Sequence, residues 1–519
     1  MFNRGIGDWI HRRRVKSAGH TAVISAAGEL TYDAWAERID RLADALSARG
    51  VAPGDRVAYL GENYPSFLEV LFAAGSLGAV FVPLNTRLAP PEIGFALEDS
   101  GSTVLVASAT LEPLALAGSR GTGVGLLALV QDGPRAAAER RDGDLEPLDY
   151  EDLVASGRPE RPDVAVDLDD LAIILYTSGT TGKPKGAMLT HGNLTWNAFN
   201  VLADFDVTSE TRALMIAPMF HVASLGMGAL PTLLKGGTLV LEPRFEPGRV
   251  LRLIEEHGIT SMSGVPTTYQ LLAEHPDWDR TDLSSLRILT CGGSAVPIRV
   301  LEAYEQRGLA IGMGYGMTET SPGATVLPAR FSRPKQGSGG LPHFHTAVRV
   351  VDPLGERCAP GDVGEIQVQG PNVISAYWNR PEATQESFVQ AEGGTWLKTG
   401  DMGYLDEEGF LFISDRLKDM IISGGENIYP AQVEQAIAEL EAVAAVAVIG
   451  VPDEKWGEVP RAVVVVREGH ELTEEQVIGH LDGKLARYKI PKSVVFVDEM
   501  PRTASGKIRK PDLRRRYGG

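Results

Sequence analysis

The chain has 519 residues, 43% apolar and 23% charged, a balance that excludes fibrous and disordered classes and at about 150 residues per domain suggests three or so packed units. A formal net charge of −18 excludes a general nucleic-acid binder, which needs a basic face for phosphates. The two cysteines, Cys291 and Cys358, exclude a disulfide framework and point to a reducing, cytoplasmic setting.

The basic start, His11-Arg12-Arg13-Arg14, has no apolar run behind it and does not read as a secretory signal. Thr31 is placed as a helix N-cap, and Trp35, Ile39, Leu42 and Leu46 follow at helical spacing until Gly50 stops the helix. Residues 56–60 and 80–84 read as extended, with a helix over 67–74 between them. The stretch 70–84 falls short of the roughly 20 residues a membrane-spanning helix needs, and Gly and Pro interrupt it, so no integral membrane segment is expected. Alternating strand and helix patterns predict an α/β fold with largely parallel sheets.

Residues 131–170 are rich in charge, Pro and Gly and read as a surface excursion. Residues 171–176 then form an apolar run suited to a buried strand. A strand is also expected over 213–217, shortly before His221. Near Asp415 the composition changes, and the tail reads as a small α+β domain with its own core. Val433, Ile437 and Leu440 mark one of its helices and Val477, Leu481 and Leu485 another, with strands over 443–451 and 462–466.

The strongest local signal is Tyr176-Thr177-Ser178-Gly179-Thr180-Thr181-Gly182-Lys183-Pro184-Lys185-Gly186. Its glycines allow close backbone approach, and its hydroxyls and two lysines can meet phosphate oxygens. It is not a P-loop: Lys183 precedes Pro184 instead of Ser or Thr, and Thr177 stands where that motif needs glycine. Further motifs follow in order: Cys291-Gly292-Gly293-Ser294-Ala295, Gly314-Tyr315-Gly316-Met317-Thr318-Glu319-Thr320, Thr399-Gly400-Asp401, Asp415-Arg416-Leu417-Lys418-Asp419, Ser423-Gly424-Gly425-Glu426-Asn427 and Ser505-Gly506-Lys507. Together these resemble the adenylate-forming (AMP-binding) superfamily in its acyl-CoA synthetase branch, from about Thr31 to the C-terminus.

The resemblance implies a large N-terminal α/β domain of several subdomains over 1–415, a hinge at 416–418 and a small mobile α+β domain over 419–519. It implies that ATP and Mg²⁺ activate a carboxylic acid to an acyl-adenylate, which CoA then takes as a thioester. Thr177, Ser178, Gly179, Thr180, Thr181 and Lys185 would hold the outer phosphates, Thr318 the α-phosphate, and Glu319 the Mg²⁺. A lone carboxylate suits that ion, which takes its other oxygens from phosphate and water. Gly292, Gly293 and Ser294 would pass along the adenine and Tyr315 stack on it. Asp401, with Arg416, would accept from the ribose hydroxyls, since an ionised carboxylate accepts without donating.

Lys507 would reach from the small domain to the carboxylate and α-phosphate, a point charge on a long stem between two anions. After pyrophosphate leaves, that domain would turn about Lys418 so that Ser423, Gly424 and Gly425 line a tunnel for the pantetheine arm of CoA. A tight turn between strands is the competing reading of that glycine pair. Lys484, Lys489 and Lys492 could meet CoA phosphates, but a solvated basic face accounts for them as well. His221 would close the acid pocket and help the thiol lose its proton, beside Val222, Ala223, Met227, Gly316, Met317 and Pro322. These residues include no buried acid for an ammonium group. Cys291 reads as a small buried residue at a strand end.

The stretch Gly186-Ala187-Met188-Leu189-Thr190-His191-Gly192-Asn193-Leu194-Thr195-Trp196-Asn197 is similar to bacterial feruloyl-CoA synthetases, with medium- and long-chain fatty acyl-CoA ligases also close, and favours an aryl or hydroxycinnamic acid over a fatty acid. The alternative is an adenylating enzyme that passes its oxyanion, a carboxylate or even nitrite, to an acceptor other than CoA. A non-catalytic scaffold would need none of Thr318, Glu319, Asp401 and Lys507. The resemblance leaves a homodimer open.

Overall fold

The computed structural model describes the chain apart from Met1, Glu139, residues 178–183, Ser294, Ala295, Leu417, Lys418, Gly424, Gly425, Glu454, Gly483, residues 504–507 and Gly519, and apart from the side chains of Asp415, Arg416, Glu426 and Asn427. Two mixed sheets carry the first four-fifths of it. One sheet runs in the order Leu148–Asp149, Leu126–Val130, Ser102–Ser108, Arg56–Leu60, Val80–Leu84, Leu171–Thr177, Lys185–Thr190. Its neighbours are parallel except the last pair, which is antiparallel. Alternate residues feed two cores, Val57 and Tyr59 on one face and Ala58 and Leu60 on the other, so both faces are apolar as expected of a parallel sheet covered on both sides.

The larger sheet has a parallel half built from Thr21–Ser25, Thr238–Leu241, Arg212–Met215, Ser261–Gly264, Ile288–Gly292 and Ile311–Gly316. It continues antiparallel through Gly323–Leu327, Ser338–Pro342, Leu411–Arg416, Gly394–Leu405, Gly364–Gln369 and Ala347–Val351. This antiparallel half departs from the largely parallel architecture expected from the sequence. Few helices intervene between its strands, so short hairpin-like connections replace crossovers.

A separate sheet of Ile421–Ser423, Glu426–Ile428, Val443–Asp453, Gly457–Val466 and Ser493–Phe496 follows. Val433, Ile437, Val477 and Leu481, from the helices Pro430–Ile437 and Glu474–Leu481, pack on one of its faces with Val448 and Val464. Leu513, from the helix Lys510–Tyr517, packs on the other with Ala447, Ile449 and Val463. The strands flanking Gly424 and Gly425 pair antiparallel, Ser423 opposite Glu426.

Local expectations meet the coordinates closely at Thr31, whose Oγ1 accepts from the Ala34 amide at 3.3 Å and caps the helix Tyr32–Ser47. The segment 131–170 is less superficial than its composition suggests. Tyr150 is fully buried on the helix Tyr150–Ala155 and donates to Glu69 Oε2 at 2.7 Å. Charges there are paired with residues before the segment: Asp144 with Arg120, and Arg135 and Arg140 with Glu112. Among the described residues no helix is long and apolar enough to cross a membrane.

Candidate functional site

The parallel strands Ile288–Gly292 and Ile311–Gly316 end side by side, with Gly292 opposite Gly314. Ligands of open α/β sheets gather at such carboxyl ends. A Cβ added at Gly292 would meet nothing within 4 Å, so its face is open, and Gly293 has φ +91°, the left-handed region that favours glycine. Cys291 is buried at this strand end, and burial raises its thiol pKa, which keeps it protonated.

Tyr315 donates its hydroxyl to Asp401 Oδ2 at 2.6 Å. The Asp401 backbone is fixed as well: its amide donates to Thr399 Oγ1 at 3.1 Å, and Thr399 donates in turn to the Ile366 carbonyl at 2.7 Å. Asp401 lies opposite Arg416 across the antiparallel strands Gly394–Leu405 and Leu411–Arg416; the Arg416 side chain is outside the described residues.

The chain then turns sharply. A Cβ on Gly316 would lie 1.8 Å from the Pro322 carbonyl oxygen, so only glycine fits. The Thr320 hydroxyl bonds to that same carbonyl, and the Met317 amide reaches it at 3.1 Å. Ser321, at φ +66°, holds a left-handed conformation inside this turn. Fully buried Asn372 clamps it, donating to the carbonyls of Thr320 at 2.8 Å and Gly323 at 2.7 Å. Thr318 stands partly exposed at the head of the turn and Glu319 is buried beside it.

Glu319 Oε1 accepts from the Tyr377 hydroxyl at 2.7 Å, and the Glu319 carbonyl accepts from the Ile374 amide at 2.9 Å. Burial first, and then the charge and hydrogen bond of Glu319, raise the pKa of the Tyr377 phenol, so it remains a donor. The Lys185 ammonium lies over the ring of Tyr377, 5.3 Å from its centroid. Thr177 pairs with Lys185 across the strands Leu171–Thr177 and Lys185–Thr190, which flank residues 178–183.

His221 follows a loop held by buried Asn63. That amide donates to the carbonyls of Met215 at 3.0 Å and Ala217 at 2.9 Å and accepts from the Met219 amide at 2.9 Å. His221 is partly exposed, its ring 4.9 Å from that of Phe220. Val222 is buried in the large core, Ala223 is exposed and Met227 is partly buried. Asn197 joins this segment to the turn, donating to the Gly226 carbonyl at 2.8 Å and accepting from the Gly323 amide at 3.0 Å. The segment thereby meets buried Pro322 across Gly226, where a Cβ would lie 2.7 Å from Pro322 Cδ.

Thus the coordinates gather Gly292, Tyr315 and Asp401 in one group and Glu319, Lys185 and Thr177 in another, joined by the turn through Gly316, Met317 and Thr318. Ser178, Gly179, Thr180, Thr181, Ser294, Lys418, Gly424, Gly425 and Lys507 lie outside the described residues. Lys484 is ion-paired with Glu439 at 2.7 Å and Lys489 donates to Gln432 at 2.8 Å, both within the small sheet domain. The sequence reading missed Tyr377, Asn372, Asn197 and Asn63, whose importance comes from partners remote in sequence.

Residues 10–378 match the AMP-binding enzyme family and residues 432–507 the AMP-binding enzyme C-terminal domain. The chain is 50% identical to a feruloyl-CoA synthase of Amycolatopsis sp over the whole of both chains. It is 42% identical to an indoleacetate–CoA ligase of Aromatoleum aromaticum, covering 98% of this chain and 97% of the relative. The crystal structure of ATP-bound MatB from Rhodopseudomonas palustris superposes with a TM-score of 0.89 at 32% identity, over 100% of this chain and 99% of that one.

Proposed function

The chain belongs to the AMP-binding enzyme family as an AMP-forming acyl-CoA synthetase, and from that premise we propose that it activates an aryl acid of the hydroxycinnamate type at the site around Tyr315, Glu319 and Asp401. The observation that carries the site assignment is a pair of buried carboxylates, each held by a tyrosine: Asp401 by Tyr315 and Glu319 by Tyr377. One is suited to a vicinal diol and the other to a cation. The full-length likeness to a feruloyl-CoA synthase supports the aryl preference, as does a small, apolar set of proposed pocket residues with no buried acid.

In the first half-reaction a carboxylate oxygen attacks the α-phosphorus of ATP. The acyl–phosphate bond forms, the bond to the β-phosphate breaks and pyrophosphate leaves. Two anions must approach, so positioning and charge compensation dominate the barrier. Thr177 and residues 178–181, with Lys185, hold the outer phosphates; Thr318 donates to the α-phosphate; Lys507 meets the oxygens in exchange. Glu319 fits Mg²⁺ because a hard, oriented carboxylate is the protein ligand such an ion takes alongside phosphate oxygens. When bound, the ion supplies charge neutralisation on those oxygens.

In the second half-reaction the CoA thiol gives up its proton with the help of His221, its sulfur bonds to the acyl carbon, and the bond from that carbon to the phosphate oxygen breaks as AMP leaves. The lobe beyond residues 416–418 turns about Lys418 to bring Gly424 and Gly425 to the channel, and His221 borders the acyl carbon. The function is tested with purified protein, MgATP and a panel of hydroxycinnamic, arylacetic and fatty acids, with and without CoA. The expected outcome is AMP, pyrophosphate and thioester in equal amounts, with kcat/KM greatest for a hydroxycinnamate. Fatty acids as the best substrates would overturn the aryl preference, and pyrophosphate without thioester would overturn CoA as acceptor.

A further inference from the structure

Tyr377 lies some sixty residues beyond the turn that carries Glu319, yet it touches both charged groups at the phosphate end of the site. Its backbone is anchored to the strand Lys185–Thr190: residue 377 bridges Ala187, the Trp378 amide donates to the Gly186 carbonyl at 2.8 Å, and the Met188 amide donates to the Ala376 carbonyl at 3.2 Å. Buried at 8% exposure, the ring is fixed in place. Its hydroxyl meets Glu319 Oε1 at 2.7 Å while its face carries the Lys185 ammonium at 5.3 Å.

A hydrogen bond from a fixed donor sets the plane of a carboxylate. An aromatic face attracts an ammonium without neutralising it. A direct Lys185–Glu319 pair would cancel the two charges against each other. We propose that Tyr377 is a positioning residue: its hydroxyl orients Glu319 toward the metal, and its ring holds Lys185 apart, so that carboxylate and ammonium serve Mg²⁺ and the outer phosphates separately. The inference rests on Glu319 being the metal ligand.

Tyr377→Phe keeps the ring and removes the hydroxyl. Calorimetric titration with MgATP, with ATP in EDTA and with AMP separates the roles. MgATP should bind about tenfold more weakly, the loss expected for one hydrogen bond to a charged group. Metal-free ATP and AMP should bind as to the native chain. Tyr377→Leu, which also removes the cation-holding face, should weaken metal-free ATP while leaving AMP unchanged. An unchanged ratio of MgATP to ATP affinity in Tyr377→Phe would overturn the inference, as would equal weakening of all three ligands, the mark of a structural role. Glu319→Gln distinguishes the premise. If it keeps the native ratio, the metal assignment fails and this inference with it; if it alone loses the ratio, only the role of Tyr377 fails.

Discussion

Asp401 is buried, accepts the Tyr315 hydroxyl at 2.6 Å and has its backbone tied to Thr399. A carboxylate fixed in this way meets a ribose hydroxyl at little further cost in side-chain ordering. Asp401→Ala should therefore act on nucleotide binding: KM for ATP should rise about 10- to 100-fold, the scale of a lost hydrogen bond to a charged group, with kcat much less affected. Steady-state kinetics at saturating acid and CoA measure this, and an unchanged KM would remove Asp401 from the ribose site. Asp401 and Glu319 were legible in the sequence because each sits in a short motif. Tyr377 and Asn372 were not, since a tyrosine or asparagine carries no local sign of the remote carbonyl or carboxylate it will meet.

At the scale of elements, a buried pair joins the helices Trp9–Lys16 and Tyr32–Ser47. His11 Nε2 lies 3.4 Å from Asp40 Oδ1, with Arg14, Arg161 and Asp8 among the surrounding charges. Burial, the largest cause for each, raises Asp40 to about 6 from 3.8 and lowers His11 to about 4 from 6.5. Between 3.8 and 6 the folded chain keeps a proton on Asp40 that the unfolded chain releases, so this stabilising contribution is lost as pH rises. Between 4 and 6.5 the unfolded chain binds a proton on His11 that the folded chain excludes, so this contribution grows with pH. The two slopes oppose each other. His11→Asn should leave the Asp40 slope, with the urea midpoint falling as pH rises across that window, and Asp40→Asn should leave the reverse; parallel profiles for both variants would refute the assignment. The sequence revealed helix existence well, through Thr31 and its 3.6-residue stripe. It did not reveal this pair, because His11 sits in a run of arginines with no local sign of its partner on the next helix, nor the antiparallel half of the large sheet, whose register is set by distant strands.

For the whole molecule, polar contacts among the described residues join the small sheet domain to the large one. Arg467 reaches Glu274 at 3.1 Å, a partly exposed ion pair of the kind that contributes about 0–1 kcal/mol. Nearby Arg299 reaches the Val443 carbonyl at 3.5 Å, and its guanidinium pKa is lowered first by burial and then by the like charge of Arg467. The like charges of Arg299 and Arg467 face each other there, as the lowered Arg299 pKa records. The alternation of strand and helix, and the composition change near Asp415, made the two-part organisation legible in the sequence. We propose that Lys507 serves the first half-reaction only. Lys507→Ala should lower pyrophosphate release from MgATP and acid by about a hundredfold or more, the scale of removing one preorganised charge stabiliser, while thioester formation from supplied acyl-adenylate and CoA stays at the native rate. Equal loss in both half-reactions would rule out that role for Lys507.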